Sequence, residues 1–315
     1  MTDLVPNAIK IDNLWANYGT FKAVRGISFE VPRGEVFGFI GPNGAGKSTT
    51  LKVLATLKAP AFGKVFVDGF SVVGNTHEVR KRIGYMPDSF GKYEDLTSED
   101  YLQFFAAAYQ LPLEQREHTI GDALELVGLS DKRSVAVDGL SRGMKQRLSI
   151  ARVLLHDPSV LLLDEPASGL DPRARIEMRE LLKALQEMGK TIIISSHILH
   201  ELAHLCTRIG IVERGQMVVE GSLDDIYKRL GVHQNIQVHI TNLTEGMLAG
   251  IKSIRGVVEV DVQDERLDVQ VKSEVITPET LLDEMHKAGA KIRLFHPEVM
   301  DMEQVFMRIT TGFTA

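Results

Sequence analysis

Gly41-Pro42-Asn43-Gly44-Ala45-Gly46-Lys47-Ser48 fits the pattern G-x-x-x-x-G-K-[ST]. Glycines at these positions let successive backbone N–H groups converge on phosphate oxygens, and a helix starting behind them adds a favourable dipole. In such a loop Lys47 lies between the β- and γ-phosphates, and the Ser48 hydroxyl ligates Mg²⁺. Far downstream the apolar run Val160–Leu163 ends in Asp164-Glu165-Pro166. Asp164 there supplies a carboxylate as the second magnesium ligand, and Glu165 is placed to polarise a water for in-line attack on the γ-phosphate. A third element, Leu140-Ser141-Arg142-Gly143-Met144-Lys145-Gln146-Arg147, opens an amphipathic helix on a serine. Ser141 has the N-cap residue type, and the free N–H groups behind it favour an anion. Two phosphate-seeking elements therefore share one chain, and the chemistry they serve is hydrolysis of a nucleoside triphosphate.

The elements that position these residues alternate between strand and helix. Ile9–Tyr18 and Phe21–Val31 read as β-rich segments, and Glu35–Ile40 is a short apolar strand leading into the loop. Helix is predicted for Thr50–Leu57, for Tyr101–Tyr109 after a capped start at Thr97, and for Thr119–Val127. The Ser141 helix runs to about His156, and another spans Arg173–Met188. Val160–Leu163 and Thr191–Ser195 are the uninterrupted apolar strands of a parallel sheet. The order predicts an α/β layered fold with a mostly parallel sheet. Beyond Gly231 it changes to strand, helix, strand, strand, helix, strand, the βαββαβ order of a small ferredoxin-like α+β domain. A last amphipathic helix is expected at Met302–Thr310. Two domains are expected, residues 1–230 and 231–315.

The 315 residues, 44% hydrophobic and 25% charged, have the composition of an ordinary soluble globular chain. A net charge of -6 argues against a nucleic-acid partner. Cys206 is the only cysteine, so no internal disulfide can form. Met1–Lys10 lacks the features of a secretory signal. No apolar run approaches the roughly 18 to 20 residues of a membrane span, so any membrane crossing is expected of another chain. His200-Glu201-Leu202-Ala203-His204 fits H-E-x-x-H, yet no third zinc ligand is marked. The expected reading is a helix with Leu199, Leu202 and Leu205 facing the core.

Together, the loop through Thr49, Leu140–Arg147, Leu161-Leu162-Leu163-Asp164-Glu165-Pro166, Ser168-Gly169-Leu170-Asp171 and Ser195-Ser196-His197 resemble the ATPase subunit of an ABC transporter over about residues 5 to 230. The resemblance implies a P-loop domain with a mostly parallel core, an antiparallel β subdomain and a helical subdomain. It implies ATP and Mg²⁺ as ligands. Tyr18 resembles the residue that stacks on adenine. Gly41, Pro42, Asn43, Gly44, Ala45, Gly46, Lys47, Ser48 and Thr49 form the phosphate loop. Asp164 and Glu165 resemble the magnesium-orienting acid and the general base, and His197 the histidine that contacts the γ-phosphate. Asp171 resembles the acid of a loop crossing a dimer interface, and Ser141 and Gly143 the donors that reach the opposite subunit's γ-phosphate.

The implied assembly is a homodimer, or a heterodimer with another such ATPase, on a separate transmembrane permease. It implies a cytoplasmic protein, peripheral on the inner face of the membrane. Phe90–Tyr109 falls where relatives form the helical subdomain that docks on the permease. Tyr85-Met86-Pro87-Asp88, Phe90-Gly91 and the trailing domain look like bacterial type-2 exporter ATPases, antibiotic-efflux members included. The alternative is a soluble ATPase of this class serving translation or DNA maintenance. Against it stand the single motif set and the lack of a heptad run between Ser48 and Leu140. Two departures stand out. Arg142 and Met144 replace a glycine and a glutamine of the usual signature, with Arg142 either adding charge near the phosphates or facing solvent. Asp88 replaces a glutamine that in the family links the Mg²⁺ site to the membrane subunit; anionic and shorter, it is expected to approach Mg²⁺ or the attacking water and to keep that coupling role with altered geometry.

Overall fold

In the computed structural model, the described residues are 7–93, 95–197, 205–222, 225–226, 234–263, 266–272 and 275–297. The chain divides into two compact units, residues 1–222 and 223–315. The H-E-x-x-H segment and the helix expected at Met302–Thr310 lie outside the described residues, apart from the buried Leu205 that follows the former.

The first unit is built on a six-stranded sheet. Its strands, in chain order, are β3 (Val36–Ile40), β6 (Ile83–Met86), β7 (Val160–Asp164), β8 (Thr191–Ser196), β9 (Arg208–Glu213) and β10 (Gln216–Ser222). Their spatial order is β10-β9-β3-β8-β7-β6, parallel from β9 to β6, with β10 antiparallel at one edge. Every residue of β3, β7 and β8 is buried. This is why these strands read as continuous apolar runs rather than alternating ones. A separate antiparallel sheet takes β1 (Asn7–Tyr18), β2 (Phe21–Pro32), β4 (Phe62–Val67) and β5 (Phe70–Ser71), ordered β2-β1-β4-β5. Residues of both sheets meet in one apolar cluster, where the Phe29 and Phe37 rings stack 4.8 Å apart.

Helix α1 (Lys47–Leu54) starts three residues earlier than the sequence predicts, straight out of the glycine loop. Helix α2 (Thr76–Arg82) precedes β6. Helix α3 (Ser98–Ala108) is capped as expected: Thr97 and Asp100 exchange side-chain and backbone hydrogen bonds. With α4 (Leu113–Leu126) it packs on α5 (Arg142–Leu154), and α6 (Pro172–Glu187) links β7 to β8. Phe90, Tyr93, Tyr101 and Phe105 form an aromatic cluster, and burial pushes the Tyr101 hydroxyl up to about 12.

The second unit holds β11 (Gln234–Ile240), α7 (Glu245–Ser253), β12 (Val257–Gln263), β13 (Arg266–Val271), α8 (Pro278–Lys287) and β14 (Ile292–Pro297). The sheet order β12-β13-β11-β14, antiparallel throughout, is the ferredoxin-like arrangement expected from the sequence. Ile236, Val238, Leu267 and Val269 form its core with Leu281 and Met285 of α8.

Behind α5, His156 is held neutral. Burial lowers its pKa from the usual 6.5, against the raising effect of a 2.8 Å hydrogen bond to the Ile83 carbonyl. Asp157 pulls the same way as that bond and Lys190 opposes it. A depressed folded-state pKa means full stability above 6.5 and progressive loss as pH falls below it, because the unfolded chain takes up the proton first. The melting temperature should therefore drop between pH 7.5 and 5.5. His156→Gln, which keeps a donor for Ile83, should flatten that drop. An unchanged pH profile in His156→Gln would contradict the assignment.

Candidate functional site

Register fixes where the site forms. Ile40 pairs with Ser196 and Asp164 with Ser195, so neighbouring β3, β8 and β7 end at one level. In open α/β sheets ligands bind beyond such carboxyl ends. Residues 41–46 leave β3 there, and the Gly41 N–H donates to the Ser196 carbonyl at 3.3 Å. The loop turns through left-handed positions at Gly44 (φ 79°) and Gly46 (φ 102°). A Cβ on Gly46 would sit 2.6 Å from the Ala23 carbonyl oxygen, so only glycine fits. One turn of helix later, Thr50 donates from its hydroxyl to the Gly46 carbonyl at 3.0 Å.

Lys47 is buried with its ammonium curled back into the loop. Its Nζ donates to the Gly41 carbonyl at 2.6 Å and to that of Pro42 at 3.2 Å, and lies 3.6 Å from Glu165 Oε1. Burial lowers its pKa, opposed by the carboxylates of Glu165 and Asp164. Asp164 is 2% exposed. Its Oδ1 accepts from the Ser48 hydroxyl at 3.1 Å and from the Ser195 hydroxyl at 2.5 Å. Glu165 follows with φ 53°, a strain of about 1–3 kcal/mol for a residue with a side chain. Its Oε2 lies 2.7 Å from His197 Nδ1.

These groups surround a cavity of about 320 Å³. Of the residues predicted from sequence, Tyr18, Asn43, Gly44, Ala45, Gly46, Lys47, Ser48, Thr49, Asp88, Glu165 and His197 line it. Gly41, Pro42 and Asp164 meet the lining through the contacts just described. Tyr18 is half exposed, and the Lys58 ammonium lies 3.9 Å from its ring centroid. The adjoining Ser48 hydroxyl and Asp164 carboxylate are hard oxygen donors of the kind Mg²⁺ takes, so the residues fit that ion. Among the described residues no cluster of three or more His, Cys, Asp or Glu forms another metal site.

Ser141, Gly143 and Asp171 are not part of the cavity lining. Ser141 caps α5, its hydroxyl accepting from the Met144 N–H at 3.3 Å. Asp171 caps α6 in the same way through the Ala174 N–H at 2.9 Å. The two helix starts touch: a Cβ on Gly143 would lie 3.0 Å from Ala174 Cβ. The Arg142 guanidinium covers Gly169, whose added Cβ would be 2.6 Å from Arg142 Cζ. Arg142 does not line this cavity, and it is exposed while its guanidinium lies beside Gly169.

The sequence marks no role for Phe21 and Ala23, which also line the cavity, and names Ser168 of the lining and Ser195 beneath it only as members of motifs, without a site role. Phe21 pairs with Tyr18 across the hairpin turn, so an aromatic two residues past Gly19 was the available signal. Ser195 is a hydroxyl following three isoleucines, a detail that only the fold turns into a contact.

Comparison with known proteins agrees with this fold. The ABC transporter family profile matches residues 24–168. The linearmycin resistance ATP-binding protein of Bacillus subtilis (strain 168) is 33% identical over 306 residues, covering 96% of this chain and 98% of that protein. A probable multidrug ABC transporter ATP-binding protein of Escherichia coli (strain K12) is 39% identical over 218 residues, which span 69% of this chain and 38% of that longer protein. A solved ATP binding subunit of an ABC transporter superposes with a TM-score of 0.64 at 32% identity, covering 71% of this chain and 93% of that one. Among the described residues no helix is long and apolar enough to cross a membrane.

The loop geometry separates two glycines. Gly46→Ala forces a Cβ onto the Ala23 carbonyl, whereas Gly44→Ala meets only the backbone penalty, with open space around it. Titration with a fluorescent ATP analogue should show Gly46→Ala weakened roughly tenfold or more, and Gly44→Ala clearly less. Equal affinities for the two variants would contradict the loop conformation.

Proposed function

Because the chain belongs to the ATP-binding subunits of ABC transporters, we propose that two copies of its nucleotide site close around ATP and reopen on hydrolysis, driving a membrane exporter. The protein is an ATPase whose hydrolysis is coupled to transport. Subunits of this kind work with a separate permease, and relatives named for linearmycin resistance and multidrug transport support export. The alternative, a soluble ATPase of translation or DNA maintenance, finds no support in these relatives.

The observation that carries the mechanism is the position of Glu165, between His197 Nδ1 at 2.7 Å and Lys47 Nζ at 3.6 Å. The loop N–H groups and Lys47 hold the β- and γ-phosphates, and Tyr18 stacks on adenine. Ser48 and Asp164, which meet at 3.1 Å, would hold Mg²⁺, with Asp88 lining the same cavity. The ion would there supply neutralisation of charge on the phosphate oxygens. Glu165 takes a proton from water as the water oxygen bonds to Pγ and the bond from Pγ to the β–γ bridging oxygen breaks, releasing ADP. His197 orients Glu165 and contacts the γ-phosphate. Ser141 and Gly143, from outside this chain's own cavity, serve the γ-phosphate of the opposite subunit, and Asp171 belongs to the loop that crosses the dimer interface. The dimer is of two such chains, or of this chain with a second ATPase, docked peripherally on the cytoplasmic side through the permease. Residues 1–230 form the ATP-binding domain and 231–315 an accessory domain.

Glu165→Gln keeps the side chain's size and removes its basicity. It should bind ATP within about threefold of the parent while hydrolysis falls roughly a hundredfold or more. Normal turnover by Glu165→Gln would rule out the base assignment.

A further inference from the structure

Asp164 is the last residue of β7 and Glu165 the next in the chain, and a continued strand would point their side chains to opposite sides. Both carboxylates nevertheless enter one site. Asp164 meets Ser48 at 3.1 Å, and Glu165 meets His197 at 2.7 Å and Lys47 at 3.6 Å. The chain achieves this by breaking its alternation at Glu165, whose φ of 53° lies in the left-handed region that non-glycine residues seldom occupy. Such a conformation persists only where the surroundings over-determine it.

Ser195 supplies that determination twice. Its carbonyl accepts the Glu165 N–H at 3.2 Å. Its hydroxyl accepts the same N–H at 3.1 Å and donates its own proton to Asp164 Oδ1 at 2.5 Å. The residue is fully buried, so water does not compete for either bond. It follows Ile192, Ile193 and Ile194 in a strand whose every residue is buried. A hydroxyl is retained at such a position without loss only if it is satisfied as donor and acceptor, and here it is both.

We propose that Ser195 is a positioning residue of the hydrolytic site, its hydroxyl bridging the two acidic neighbours so that one faces Ser48 and the other faces the attacked phosphate. The proposal rests on Glu165 acting as the base. Ser195 touches neither substrate nor the reacting atoms; it acts by fixing the direction of Glu165 while anchoring Asp164.

Ser195→Thr and Ser195→Val have nearly the same shape and differ in the hydroxyl. In the full chain, Thr should keep kcat for ATP hydrolysis within about threefold. Val should lose about 30-fold with KM little changed, a loss typical of a misaimed catalytic group. Both should bind a fluorescent ATP analogue like the parent in the presence of Mg²⁺. In single-turnover assays on a Glu165→Gln background the difference between Thr and Val should vanish, because the hydroxyl works through that carboxylate. Equal kcat for Thr and Val overturns the proposal, and so does a Val deficit that persists undiminished with Gln at 165. If Val does not fold, Ser195→Ala is compared with Thr under the same criteria. Normal turnover by Glu165→Gln alone would instead remove the base assignment, a failure distinguishable from equality of Thr and Val.

Discussion

A carboxylate buried at the end of an apolar strand is the constraint on which the nucleotide-binding unit depends. Asp164 is 2% exposed and closes a strand of valine and leucine, where an uncompensated charge would cost several kcal/mol, on the order of a domain's whole stability. Its compensation comes from two hydroxyls on two different elements, Ser48 in the first turn of α1 and Ser195 on β8. Satisfying one side chain therefore ties the phosphate loop to the sheet and β7 to β8. The level ends of β3, β8 and β7 are what bring those hydroxyls within reach.

A second consequence is the division of the phosphate-directed groups. The loop, Glu165 and His197 converge on one cavity, while Ser141 and Asp171 cap two helix starts that contact each other away from it. Free N–H groups at those starts attract anions, yet this chain's own cavity does not use them. On the proposed reading a second chain brings its phosphates there. Arg142, which replaces the small residue usual in the signature, lies over Gly169 of the loop leading to Asp171. The departure thus packs the start of α5 against the loop that leads to Asp171.

Much of this was legible in the sequence where local pattern and tertiary role coincide. β7 and β8 are wholly buried and read as unbroken apolar runs, and the alternation in β11 and β13 gave the second unit its order. Lys47, Ser48, Asp164 and Glu165 were found because their chemistry needs fixed spacing. The helix after the loop was placed at Thr50 instead of Lys47 because glycine and lysine read as loop, whereas Gly46 in the left-handed region launches the helix directly. Strands such as β6 and β10 were missed, the first because four residues carry too little periodicity and the second because half-buried edge positions blur it. Ser195 stands in the quoted Ser195-Ser196-His197 motif, but its contact with Asp164, like that between Arg142 and Gly169, has no local signal, since each joins segments distant in sequence.

The central claim is that a complete hydrolytic site takes its loop from one chain and its signature from another. Mixing chains carrying Lys47→Ala with chains carrying Ser141→Arg, each inactive alone, tests it most directly. A mixed dimer would contain one site with both defects and one with neither, so ATPase activity should return to a sizeable fraction of the parent's. If the mixture stays as inactive as its two components while mixed dimers demonstrably form, the site is not shared between chains and the account is wrong.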